Sequence, residues 1–177
     1  RLLKLASELG IVRTTVVPPS DLHVDWEREI SRRYNLRDVV IAEATEGHSS
    51  AVLGAAAALY LESTLSEKER LGISSWSSSL LATVEAMRPR PHQVATEVIQ
   101  MIGGVGNPTA QVSATRLITR FSEITGGEAK YLASPGLFAS KSARDAIFSD
   151  YYIQEVVAEW ESLTTALVGI GLSLIHI

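Results

Sequence analysis

Apolar and polar positions alternate along the chain in two periods, and the elements follow from which period holds where. Leu2, Leu5 and Leu9 recur at helical spacing ahead of Gly10, so a short helix closed by a glycine is expected there. Ile11 to Val17 is β-branched and alternating, a strand stopped by Pro18 and Pro19. Trp26, Ile30 and Tyr34 share one face of a helix that Asp21 could cap and Asn35 could end. Arg37 to Ala42 then reads as a short strand.

Further along, Ser49 or Ser50 opens an Ala-rich helix to about Leu65, and Arg70 to Ser75 is an apolar strand. A helix runs from the serines after Trp76 through Met87, and Val94 to Ile102 is the next strand. Thr109 to Ile124 is helical, Ala129 to Ala133 a strand, and Ser140 opens two helical segments to about Ser162. Thr165 to Gly169 is a last strand. Short apolar strands between helix-length amphipathic segments are the pattern of βα units, with strands buried on both faces. The expected class is α/β, a mostly parallel twisted sheet flanked by helices.

Composition narrows the chemistry. The 177 residues carry 16 Lys and Arg against 20 Asp and Glu, a net charge of −4, which speaks against a nucleic-acid surface on this stretch itself. No cysteine is present, so disulfides, thiolate catalysis and zinc–cysteine sites are excluded, and a cytoplasmic setting is expected. No apolar run reaches the ~20 residues of a membrane span. His23, His48, His92 and His176 are dispersed without metal-ligand spacing, so neither metal nor cofactor is expected.

In a parallel sheet ligands collect at the carboxyl ends of the strands, beside helix N-termini. Four loops qualify: Glu43–Ser50, Ser74–Ser79, Ile102–Pro108 and Ala133–Ala139. The second surrounds Trp76 with hydroxyls, Ser74-Ser75 before it and Ser77-Ser78-Ser79 after it. Hydroxyls and backbone amides at a helix start make an anion cradle, although a helix cap with spare serines fits the same letters. Trp76 could wall a sugar ring or pack on the sheet edge. Gly103-Gly104-Val105-Gly106 would let a ligand approach the backbone, or form a turn with no ligand. It lacks the spacing of a dinucleotide fingerprint and of a P-loop. Gly72-Ile-Ser74-Ser-Trp76 has Trp where a nucleophile elbow needs its second glycine. Glu43 and Glu46 are the acids placed by topology near these loops, and serve as solvated loop residues, as ligands of sugar hydroxyls or as a base. Trp26 and Trp160 are expected in the core or an interface.

Five blocks in order resemble the effector domains of SorC/DeoR-type bacterial sugar-responsive regulators. They are RLLKLASELGIVR (1–13), LGISSWSSSL (71–80), VIQMIGGVG (98–106), KYLASPG (130–136) and ALVGIG (166–171). The second is similar to that family's phosphate loop, with Ser79 where Thr is usual.

The resemblance implies a fold akin to sugar-phosphate isomerases and a non-catalytic domain that binds a phosphorylated sugar. Ser75, Trp76, Ser77, Ser78 and Ser79 fall on the phosphate loop, Gly103, Gly104 and Val105 on a second ligand-facing loop, and Gln111 near a polar contact. Gln100 stands in the matching block, either facing the ligand or pointing into the sheet. Residues 1–20 are then a linker helix and first strand after a DNA-binding domain, and 21–171 the effector domain, C-terminally incomplete. Residues 172–177 read as a non-native tail. DNA would be engaged only through a helix-turn-helix outside this chain, and a homo-oligomer, dimer or tetramer, is expected. The competing reading is a sugar-phosphate isomerase or deaminase.

Overall fold

The computed structural model describes residues 23–43, 49–89, 92–104 and 108–170, with the backbone alone at 108–111 and 113. The chain divides into two compact units, Arg1–Ile41 and Ala42–Ile177. The helix expected at 1–9 and the strand at 11–17 lie outside the described residues.

The first unit presents α1, Val24–Tyr34. Asn35 ends it as expected, in the left-handed conformation at φ 51°, and the Leu36 amide returns to the Ser31 carbonyl (2.9 Å). The residue before it is His23, which makes no side-chain cap. The strand expected at 37–42 does not form. Those described residues pair with no neighbouring strand, and the Ile41 amide instead donates to Glu27 Oε1 (2.9 Å). Trp26 is 67% exposed and Tyr34 63%, so within this unit Trp26 is not a core residue.

The second unit is the α/β body. Its strands are β1 (Glu69–Ile73), β2 (Ala95–Gln100), β3 (Glu128–Lys130) and β4 (Thr165–Leu167), all parallel, in the order β3-β2-β1-β4. The helices are α2 (Ser49–Thr64), α3 (Ser78–Ala86), α4 (Pro108–Thr125), α5 (Lys141–Phe148) and α6 (Tyr151–Ala158), the last running into a 3-10 turn, Glu159–Ser162. Strand β3 ends before the expected Ala133. The Leu132 amide leaves the ladder for a side chain, Gln100 Oε1 (3.0 Å).

One face of the sheet forms the core. Leu71, Ile73, Val98 and Leu167 pack with Ala58 and Leu61 of α2, Val84 of α3, and Leu117, Ile118 and Phe121 of α4. Burying side chains of this size is worth ~1.5–3 kcal/mol each. The opposite face is met by the segment after α6: Gly72 is so closely covered by Leu163 and Met101 that a Cβ there would overlap both. At the same face Arg70 and Lys130 pair with Glu97 (2.6 Å each), and both also pair with Glu159. Three strands are thereby clamped to the 3-10 turn. The Lys130 ammonium, bonded first to Glu97, is held above its usual range, and Glu159 is held below its own by Lys130.

A candidate ligand-binding site at the strand ends

Strand order decides where a ligand could enter. From β1 the chain moves outward through α3 to β2 and through α4 to β3, then returns across the sheet to β4 on the other side of β1. The crevice between β1 and β4 is therefore the switch point of the sheet, where the loops part to opposite faces. Ser74 and Ser75 leave β1 there. The Ser74 hydroxyl accepts from the Gly169 amide beyond β4 (3.1 Å), and the Ser74 amide donates to the Leu167 carbonyl (2.9 Å).

The four strand ends are joined into one surface. Ser75 Oγ donates to the Ile102 carbonyl at the end of β2 (2.9 Å). The Gly104 amide donates to the Ser134 carbonyl (2.8 Å), and the Gly136 amide to the Gly104 carbonyl (2.7 Å). Two glycines permit this approach. A Cβ on Gly103 would run into the Ser134 carbonyl, and one on Gly136 into the Trp76 ring. Trp76 thus packs its indole on the 134–136 turn while remaining 38% exposed, so part of the ring faces solvent.

The serine loop divides its labour. Ser75 is buried and spends its hydrogen on Ile102. Ser77 is the N-cap of α3, its Oγ accepting from the Leu80 amide (3.2 Å). Ser78 is exposed in the first turn, and half-buried Ser79 accepts a bond from Thr83 Oγ1 at its carbonyl (2.7 Å). Ser78 Oγ lies 3.5 Å from Ser50 Oγ, the second residue of α2. Helices α2 and α3 therefore run side by side with both N-termini at this edge, a pairing held at the far end by the Arg88 amide on Glu62 Oε1 (2.8 Å). Two helix N-termini brought together concentrate positive potential at one point.

Of the expected site residues, Ser75, Trp76, Ser77, Ser78, Ser79, Gly103 and Gly104 come together at these ends. Val105 lies outside the described residues, and Gln111 stands in the first turn of α4, where only the backbone is described. Glu43 is exposed, and Glu46 lies outside the described residues. Among the described residues no cluster of His, Asp and Glu could hold a metal. A groove lined by Glu85, Val112, Arg116 and Thr119 lies between α3 and α4 and is spanned by the Arg116–Glu85 ion pair; concavity there is not matched by converging loops. The sequence reading missed the tie from Gly169 to Ser74 and the role of Gln100 as a joint. A glutamine in the apolar run Val98-Ile99-Gln100-Met101-Ile102 was the available signal, since a buried amide demands partners.

Residues 5–175 match a family model described as "Putative sugar-binding domain". The chain belongs to this sugar-binding domain family. It is similar to the sorbitol operon regulator of Klebsiella pneumoniae, 24% identical over 175 residues. That match takes in 97% of this chain and 55% of the regulator, so the chain spans about half the length of this relative. The solved full-length sorbitol operon regulator superposes with a TM-score of 0.77, at 24% identity, over 97% of this chain and 56% of that one. A solved domain of the transcriptional regulator DeoR from Pseudomonas syringae pv. tomato is 35% identical, with a TM-score of 0.68, over 85% of this chain and 65% of that one. The α/β fold and the SorC/DeoR-type regulator resemblance of the sequence blocks are thus met by family, relatives and structure together. No helix of the described residues is long and apolar enough to cross a membrane.

Proposed function

We propose that this sugar-binding domain is the ligand-sensing part of a cytoplasmic, sugar-responsive transcriptional regulator, and that its effector is a phosphorylated sugar. The phosphate would sit at Ser77–Ser79, over the paired N-termini of α2 and α3, with the sugar reaching toward Trp76 and the Gly103-Gly104 loop. The observation that carries this reading is the meeting of those two helix N-termini, at Ser50 and Ser78, beside the β1/β4 switch point. Charge-assisted bonds to a phosphate are worth ~1.5–3 kcal/mol each, and the site offers amides and hydroxyls for several.

The domain is read as non-catalytic. A sugar isomerase or deaminase needs a general base within ~3 Å of the proton it moves, and Ser74–Ser79 and Ile102–Gly104 contain neither carboxylate nor imidazole. Regulation would pass to DNA through a helix-turn-helix outside this chain, in a homo-oligomer. The test is a thermal-shift screen of pentose and hexose phosphates against their unphosphorylated sugars. A ligand that stabilises only when phosphorylated supports the reading; stabilisation by free sugars alone, or by none of the panel, refutes it.

A further inference from the structure

The glutamine that ends β2 is a joint between loops. Gln100 is 2% exposed, paired in register with Ile73, and shut among apolar residues. Its Nε2 donates to the Ile102 carbonyl (2.7 Å), and its Oε1 accepts from the Leu132 amide (3.0 Å). The Ile102 carbonyl also takes the Ser75 hydroxyl, so both of its lone pairs are used, one by β1 and one by β2. The backbone carbonyl of Gln100 accepts from Trp160 Nε1 (3.1 Å). One buried residue thereby links the ends of β1, β2 and β3 to the 3-10 turn. The ion-paired Arg70, Glu97, Lys130 and Glu159 lie on the opposite face of the sheet, since Gln100 shares the face of Ile73 and Val98.

We infer that Gln100 is a positioning residue, which without touching ligand holds the Gly103-Gly104 and Ser134–Gly136 loops in the geometry that an anionic effector needs. This rests on the strand-end reading of the site. The donor to Ile102 is the critical half of the amide. Lost, it leaves that carbonyl to Ser75 alone and loosens the turn that carries Gly103 and Gly104 to the Ser134–Gly136 loop. A leucine or methionine at this position would fill the space but free both loops. A glutamate would keep the acceptor for Leu132 and turn a second acceptor against Ile102.

Gln100→Glu in the full chain separates these roles. Only the protonated carboxyl can donate to Ile102, and burial raises the pKa of a carboxyl, so the joint is broken at about pH 8 and remade toward about pH 5. Relative to the native chain at the same pH, the Gly104 and Gly136 amides should exchange about tenfold faster at the higher pH, with the ratio falling toward one at the lower. Affinity for whichever sugar phosphate stabilises the native chain should fall and recover in step. Gln100→Met should show both deficits at either pH, and Ser75→Ala, which removes the other donor to Ile102, a smaller one. Native exchange at Gly104 and Gly136 in the Glu and Met variants overturns the inference whatever the ligand does. A defect of the Glu variant that ignores pH overturns it too, by assigning the effect to packing. Loosened loops with unchanged affinity would show that these loops do not hold the effector. If no sugar phosphate binds the native chain, the functional reading fails, while the exchange ratios still decide whether Gln100 holds the loops.

Discussion

Single side chains at the strand ends have separable duties, and substitution can tell them apart. Ser77 caps α3 through its bond from the Leu80 amide, so Ser77→Ala should cost about 1 kcal/mol of stability, read as a lower denaturant midpoint with an unchanged slope. Ser78 makes no cap and stands exposed beside Ser50. Its replacement should act on ligand rather than on fold. These roles were only half legible in the letters: the serine run announced a helix start, but which serine caps, which is buried and which is free depends on the backbone path after β1. Gln100 shows the same limit more sharply. Its position in an apolar strand marked it as unusual, while its partners, Ile102 and Leu132, are set by how two loops fold back over the sheet.

Among the elements, the helices and the central strands were legible because each carries a strong period or a clear stop. Ser49–Thr64, Ser78–Ala86 and Pro108–Thr125 all begin and end within a few residues of where their caps, glycines and prolines place them. The strand expected at 37–42 and the far end of β3 were not legible, because a strand exists only where a neighbour takes its hydrogen bonds. Ile41 and Leu132 give their amides to Glu27 and Gln100 instead. The amino end of β1 is held to the start of β4 by Glu69, a buried carboxylate kept below its ordinary range chiefly by the Thr164 hydroxyl and next by Ser66. A carboxyl with a lowered folded-state pKa stabilises above its unfolded value, and that contribution is lost as pH falls through the folded one. Glu159, lowered by Lys130, has the same sign. Stability should therefore fall as pH drops below the ordinary glutamate value of 4.5, and less steeply in Glu69→Gln than in the native chain. Denaturant midpoints taken across that range check this; parallel slopes in the two proteins would contradict it.

At the scale of the molecule, α2 is apolar on every side, with Gly54, Ala58 and Leu61 in the core and Leu53 and Leu59 left 45% and 48% exposed. A helix that is apolar all round is ordinarily covered all round. We propose that the outer face is covered by a second copy, so sedimentation of a full-length protein should show a dimer or larger, and Leu59→Lys should weaken it; a monomer in the native protein would contradict this. On the proposed function, the paired N-termini of α2 and α3 would hold the phosphate of the effector. Calorimetry on Ser78→Asp and Ser78→Ala, against a sugar phosphate that binds the native protein, tests it most directly. A carboxylate at the start of α3 suits the helix itself but meets the dianion head-on. The Asp variant should keep its melting temperature and lose at least about tenfold in affinity, ~1.4 kcal/mol, with the Ala variant milder because the amides remain. Native affinity in the Asp variant, with its melting temperature preserved, would show that the phosphate is held elsewhere.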